Sequence, residues 1–313
     1  MKKILFFGAV IFIVILVFII IFNIPKKTNS SGAKSPKIKI VTTLFPLYDF
    51  AKNIGGDYVE VSLLLPPGVE AHAFEPKPSD IAKISEADIF IFTGRFMEPW
   101  VEDITKSINN KKLIIVDASI GVKMITELIQ DPNNLKPSYD PHVWLSYDND
   151  KIIVKNISQA LISYDQKNSD YYSQNLADYQ NKLSELDAKY ASSLANCQNK
   201  EIIYGGHYAF GYLANRYGLK YSAAQGLSPN SEPSAQDIID LIKKIKADKI
   251  QYIFYEELSS PKIAETISSE TGAKMLLLNA AHNISLDDFT NNISFLSIME
   301  ENLINLKEGL KCN

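Results

Sequence analysis

The stretch that most constrains this chain is an apolar stripe: Tyr172, Leu176, Tyr179, Leu183, Leu186, Tyr190 and Leu194 recur every three or four residues. Positions with that spacing share one face of an α-helix, and neither Gly nor Pro interrupts the run. At 1.5 Å per residue such a helix is ~34 Å long, the height of a whole domain. Its stripe must be buried along its whole length, so apolar partners are needed at both ends. A coiled-coil dimer would also bury it. Three heptads between two globular halves favour a rigid connector packed on both.

The flanks supply those halves. Before the stripe, strand-like runs over 37–41, 58–63, 88–92 and 113–116 alternate with helical runs over 46–53, 78–87 and 98–108. After it come strands over 201–204, 250–255 and 274–278, with helices over 207–217, 234–247, 261–271 and 296–310. Such alternation argues for mainly parallel sheets covered by helices. The expected architecture is α/β: two mainly parallel-sheet lobes joined by one long connecting helix. The lobes are expected over 37–160 and 199–313, with the connector over 161–198.

Ahead of the first lobe, Ile4 to Phe22 are uncharged and overwhelmingly apolar behind Met1-Lys2-Lys3. That length is nearer a membrane span than the h-region of a signal peptide. No Cys follows it, so no lipid-modified cysteine is available, whereas Ser31-Gly32-Ala33 offers a small-x-small cleavage pattern. Residues 1–24 are therefore read as a transmembrane anchor or signal segment and 25–36 as a linker, which places the lobes outside the cytoplasmic membrane. The net charge of −4 gives no electrostatic case for nucleic acid. The two cysteines, Cys197 and Cys312, lie in no CxxC pair and beside no His. An oxidising compartment favours one disulfide between them over two buried thiols.

Histidine is the scarce resource. Only four occur, His72, His142, His207 and His282, each in a stretch of Gly, Pro, Ala or Asn rather than in a periodic core segment. Ligands of open α/β sheets sit beyond the carboxyl ends of strands. His72, His207 and His282 each follow an expected strand, and His142 lies in the irregular Asp140-Pro141-His142 stretch. Two lobes offering two histidines each to a shared cleft would present four nitrogen ligands, a set that suits Zn2+. Glu70, two residues before His72, is the nearest carboxylate and could be a ligand, a general base or a solvated loop charge.

These stretches resemble the metal-specific solute-binding proteins of ABC importers, in particular the high-affinity zinc-uptake type. The resemblance runs from Ile38 to Leu310 and is carried by Gly68-Val69-Glu70-Ala71-His72-Ala73-Phe74-Glu75-Pro76, Asp140-Pro141-His142-Val143-Trp144-Leu145, His207-Tyr208-Ala209-Phe210-Gly211, Gly226-Leu227-Ser228-Pro229 and Met299-Glu300-Glu301-Asn302-Leu303. It implies a metal at the lobe interface, with His72, His142 and His207 as ligands and an ABC permease as partner. It also implies a fourth, carboxylate ligand near the end of the last strand. Here that pattern reads Leu278-Asn279-Ala280-Ala281-His282. His282 is expected to take the place, with Glu70, Asn279 or water as alternatives. A monomeric Zn2+ receptor is the expectation, with a Mn2+ or Fe2+ receptor of the same family as alternative. A zinc hydrolase or a surface adhesin is the alternative from another class. A hydrolase would want an HExxH-like pair, and no two histidines stand four apart.

Overall fold

The run Ile89-Phe90-Ile91-Phe92 has no polar position, so both faces of its strand must be covered. Successive side chains alternate faces, and the structure divides them accordingly: Ile89 and Ile91 enter a central core, Phe90 and Phe92 an outer one. The computed structural model describes residues 36–127, 138–227, 229 and 233–312. The segment read as an anchor, the tether up to residue 35 and the middle of the loop preceding His142 lie outside the described residues. Among the described residues no helix is long and apolar enough to cross a membrane.

The first lobe carries β1 (Ile38–Thr42), β2 (Val59–Leu63), β3 (Ile89–Phe92) and β4 (Ile114–Asp117), all parallel in the order β2-β1-β3-β4. Helices α1 (Phe45–Gly55), α2 (Pro78–Ser85) and α3 (Val101–Ser107) connect them. A short antiparallel pair, β5 (Thr126–Glu127) with β6 (Ser138–Tyr139), follows. The second lobe repeats the design with β7 (Glu201–Tyr204), β8 (Lys220–Ala223), β9 (Tyr252–Tyr255) and β10 (Lys274–Leu277), parallel in the order β10-β9-β7-β8.

The expected long connecting helix is α5 (Ser169–Leu194), and a second helix that the periodicity did not announce, α4 (Tyr147–Tyr164), packs along it on the first-lobe side. The stripe on α5 is buried as its period requires, Tyr172, Tyr179, Leu183, Leu186, Tyr190 and Leu194 all lying in the central core with Leu176 packed at its margin. That core also takes Phe50 and Ile54 of the first lobe, Ile202 and Phe254 of the second, and Leu303 and Leu306 of the last helix. The tyrosine hydroxyls leave it by hydrogen bonds. Tyr179 donates to Asp49 Oδ2 at 3.1 Å, and Tyr190 donates to the Met299 carbonyl. Arg216 of the second lobe donates to Asp187 on α5 and Asp148 on α4.

Helix α4 escapes a periodicity reading because its buried face mixes Ile153, Val154, Ile157 and Leu161 with Asn149, Asp150 and Ser158, which blurs the stripe. The remaining helices are α6 (Gly211–Arg216), α7 (Ala235–Asp248), α8 (Lys262–Thr271), α9 (Leu286–Thr290) and α10 (Phe295–Leu310). Expected from residue 207, α6 begins only at Gly211, because the preceding amides are used elsewhere. Tyr208 N–H donates to the Gly226 carbonyl and Ala209 N–H to the Tyr221 hydroxyl. Strand β8 carried no sequence signal. Cys197 and Cys312 are joined in a disulfide, tying the end of the connector to the end of α10.

Candidate metal centre

Each histidine hangs from backbone that the local sequence fixes. His72 follows β2 through Pro66-Pro67-Gly68, where Gly68 takes a φ of 83°, and the Glu70 carboxylate caps the turn by accepting the N–H groups of His72 at 2.9 Å and Ala73 at 2.8 Å. His142 stands just before a single 3-10 turn, Val143–Leu145, whose Trp144 is fully buried with its indole N–H donating to the Ala280 carbonyl at 2.8 Å. His207 follows β7 through Gly205-Gly206. A Cβ on Gly206 would stand 2.7 Å from Glu256 Oε2 and 2.8 Å from the Tyr204 ring, so only glycine lets this turn pass. His282 follows β10, as three of the four were expected to follow strands.

The structure brings His72, His142 and His207 together. Their Nε2 atoms meet at 3.2 Å between His72 and His142 and 3.1 Å between His207 and His142, and their ring centroids stand 5.0–5.2 Å apart. His142 and His207 are fully buried, and His72 is half-buried on the open side. A tetrahedral ion at ~2.0–2.1 Å from each nitrogen sets neighbouring ligands about 3.3 Å apart. The observed separations are close to that edge. These three rings could hold a metal ion as they stand.

Two buried carboxylates stand behind the rings. Asp140 Oδ1 lies 2.7 Å from His142 Nδ1, and Glu256 Oε1 lies 2.8 Å from His207 Nδ1. The hydrogen bond to Asp140 keeps the proton of His142 on Nδ1, and the negative charge of Glu256, close to His207 Nδ1 but out of line for a hydrogen bond, favours the same tautomer there, so both Nε2 lone pairs face inward. Two such lone pairs 3.1 Å apart repel unless a cation lies between them. A proton serves poorly, since burial and the charges of the neighbouring histidines hold His142 well below the usual imidazole range. Burial likewise drives His72 down to about 3. Burial alone would push Glu256 up, but hydrogen bonding and charge from His207 more than offset it, leaving its carboxyl below the ordinary range.

His282 flanks this trio rather than joining it, its ring centroid 5.9 Å from His207 and 6.5 Å from His72. Glu70 and Asn279 are occupied: both Glu70 oxygens take backbone amides, and Asn279 Oδ1 accepts Ala281 N–H at 2.7 Å. Sequence reasoning missed the roles of Asp140 and Glu256. Asp140 was legible two residues before His142. Glu256 was legible too, one residue beyond β9 at the same carboxyl edge as His207.

A sequence profile described as "ZnuA: Zinc-uptake complex component A periplasmic" matches residues 40–309. The chain belongs to the ZnuA family. Within it, the chain is 37% identical over 289 residues to the high-affinity zinc uptake system protein ZnuA of Bacillus subtilis, covering 90% of each. It is 34% identical over 287 residues to the zinc-binding protein AdcA of Streptococcus pyogenes, covering 87% of this chain and 56% of that longer protein. The crystal structure of the Zn(II)-bound ZnuA-like domain of Streptococcus pneumoniae AdcA superposes with a TM-score of 0.75 at 36% identity, covering 88% of this chain and 99% of that one. Like these ZnuA-type structures, the chain is a pair of parallel-sheet lobes with a long helix between them.

Proposed function

We propose that this protein captures Zn2+ outside the cytoplasmic membrane and delivers it to the permease of an ABC-type importer, with His72, His142 and His207 as ligands. The observation that carries the reading is the convergence of three imidazole Nε2 atoms at 3.1–3.2 Å, two of them backed by buried carboxylates. Neutral nitrogen ligands favour Zn2+ over the harder Mn2+, which prefers oxygen. The ZnuA and AdcA names of the relatives point to the same ion. We read the site as binding rather than catalytic. Glu70, the carboxylate a hydrolase would use as base, is spent on two backbone amides. The protein works as a monomer, held at or secreted through the membrane by its N-terminal segment. Titration of tag-free protein with Zn2+ tests the reading. The wild type should bind one ion, and the His72→Ala/His142→Ala/His207→Ala variant should lose affinity by about 100-fold or more. Unchanged zinc binding in that triple variant would sink it.

A further inference from the structure

The last loop of the second lobe is fastened to the first lobe. Trp144 Nε1 donates to the Ala280 carbonyl at 2.8 Å, and Phe45 N–H to the His282 carbonyl at 3.4 Å. Asn283 Nδ2 donates to the Pro66 and Val69 carbonyls at 2.8 and 2.7 Å, and Gly68 N–H to the Ile284 carbonyl at 2.8 Å. Between these anchors Ala281 holds a φ of 55°, a conformation that a non-glycine residue keeps only where its surroundings over-determine it. The consequence is the placement of His282. The residue is only 4% exposed, its ring lies beside those of His207 and His72, and its Nδ1 has no hydrogen-bond partner. A buried polar atom left bare is costly unless something arrives to use the side chain.

Charge says what that something is. Asp140 and Glu256 already place two negative charges directly behind His142 and His207. They balance a divalent cation before any fourth ligand is chosen. A carboxylate at the fourth position would leave the site net negative, whereas a neutral imidazole leaves it balanced. Resting on the zinc reading above, we propose that His282 is the fourth ligand and the residue that sets metal choice, making an all-nitrogen, charge-neutral centre that rejects hard divalent cations such as Mn2+. Its ring stands on the order of 1 Å farther from the others than they stand from one another, a displacement of the size that side chains make on ligand capture. Nitrogen ligation suits Zn2+, Co2+ and Ni2+, while Mn2+ gains most from oxygen.

Zn2+, Co2+ and Mn2+ affinities by chelator competition, with the visible spectrum of the Co2+ form, test this on the full soluble protein. The wild type should give the intense bands of four-coordinate Co2+. His282→Ala should weaken Zn2+ by roughly 10- to 100-fold and change that spectrum. His282→Glu should keep Zn2+ and tighten Mn2+ by about 10-fold, narrowing the preference. Melting in chelator reports whether each variant folds, and His282→Gln carries the test if His282→Ala does not. Wild-type zinc affinity and an unchanged Co2+ spectrum in a folded His282 variant overturn this proposal. The zinc reading survives that result so long as His142→Ala still loses the ion. Zinc binding undiminished in both His142→Ala and His282→Ala overturns both.

Discussion

Removing the Cys197–Cys312 bond should cost a large part of the fold's stability while leaving the metal site alone. The bond closes a loop with a sequence separation of 115. In the chain-entropy model a loop of that length restricts the unfolded ensemble by about 5 kcal/mol. Whole domains are stable by only about 5–15 kcal/mol, so the loss is a third or more of the total. Native geometry should survive the cut, because the same corner is held by backbone bonds. Gln198 N–H donates to the Lys311 carbonyl at 3.1 Å, and Asn199 N–H to the Leu310 carbonyl at 3.0 Å. The penalty therefore falls on the unfolded state. Urea unfolding of the Cys197→Ser/Cys312→Ser variant should show the midpoint falling, and the melting temperature should drop by roughly 10–15 °C. Zinc affinity should stay within about 2-fold, since the ligand loops are anchored by Trp144, Glu70 and Asn283 at the far end of the sheets. A stability loss below about 1 kcal/mol would refute the loop-closure reasoning.

Glu98 is buried and accepts Thr43 Oγ1 at 2.5 Å, Thr93 N–H at 3.2 Å and Gly94 N–H at 3.0 Å, yet burial outweighs these bonds and raises its carboxyl to about 7. Folding therefore favours its protonated form. Stability from this group is full below the unfolded value near 4.5 and is lost as pH rises through 7, by on the order of 3 kcal/mol. Glu98→Gln should flatten the difference in melting temperature between pH 5 and pH 8, and an unaltered slope would contradict the assignment. Asp140→Asn removes the anion that holds His142 in its ligating tautomer, so zinc affinity should fall by roughly 10- to 100-fold with the fold intact; titration calorimetry reads it. Gly309→Ala would place a Cβ 2.4 Å from the Phe254 ring, forcing α10 off β9. The expected destabilisation is about 1–3 kcal/mol by denaturant unfolding, and a neutral effect would mean the helix shifts freely.

The parts of this protein that repeat a period were readable before any coordinates. The stripe from Tyr172 to Leu194 is buried along its length, and the runs Ile89 to Phe92 and Glu201 to Tyr204 are strands buried on both faces. Helix α4 was not readable, because Asn149, Asp150 and Ser158 interrupt its apolar face and its Ile and Val residues suit a strand equally. Its partner α5 supplies the burial that decides the matter. Strand β8 owes its place to pairing with β7, a contact no local pattern announces. At the site, scarcity brought out all four histidines, and strand-end position His72, His207 and His282. The carboxylates behind them stood in view, Asp140 two residues before His142 and Glu256 one residue beyond β9, but a lone Asp or Glu is usually solvated and it is packing that shows these two are not.

The shared core has a mechanical consequence. A clam-like receptor lets go of its cargo by swinging two bodies about a thin strap. Here the strap is helix α5, whose tyrosine and leucine side chains lie in one core with residues of both bodies, so a swing would tear apolar contacts along its length. The stiff part of the molecule is thus the middle. On the zinc reading, unloading should then start on the open side, where His72, the least enclosed of the three converging imidazoles, is carried on its proline-rich loop. Stitched to that loop through Asn283, the segment bearing His282 would be dragged along with it. X-ray scattering should accordingly return the same radius of gyration with and without zinc, and a marked contraction on loading would show that the middle bends after all.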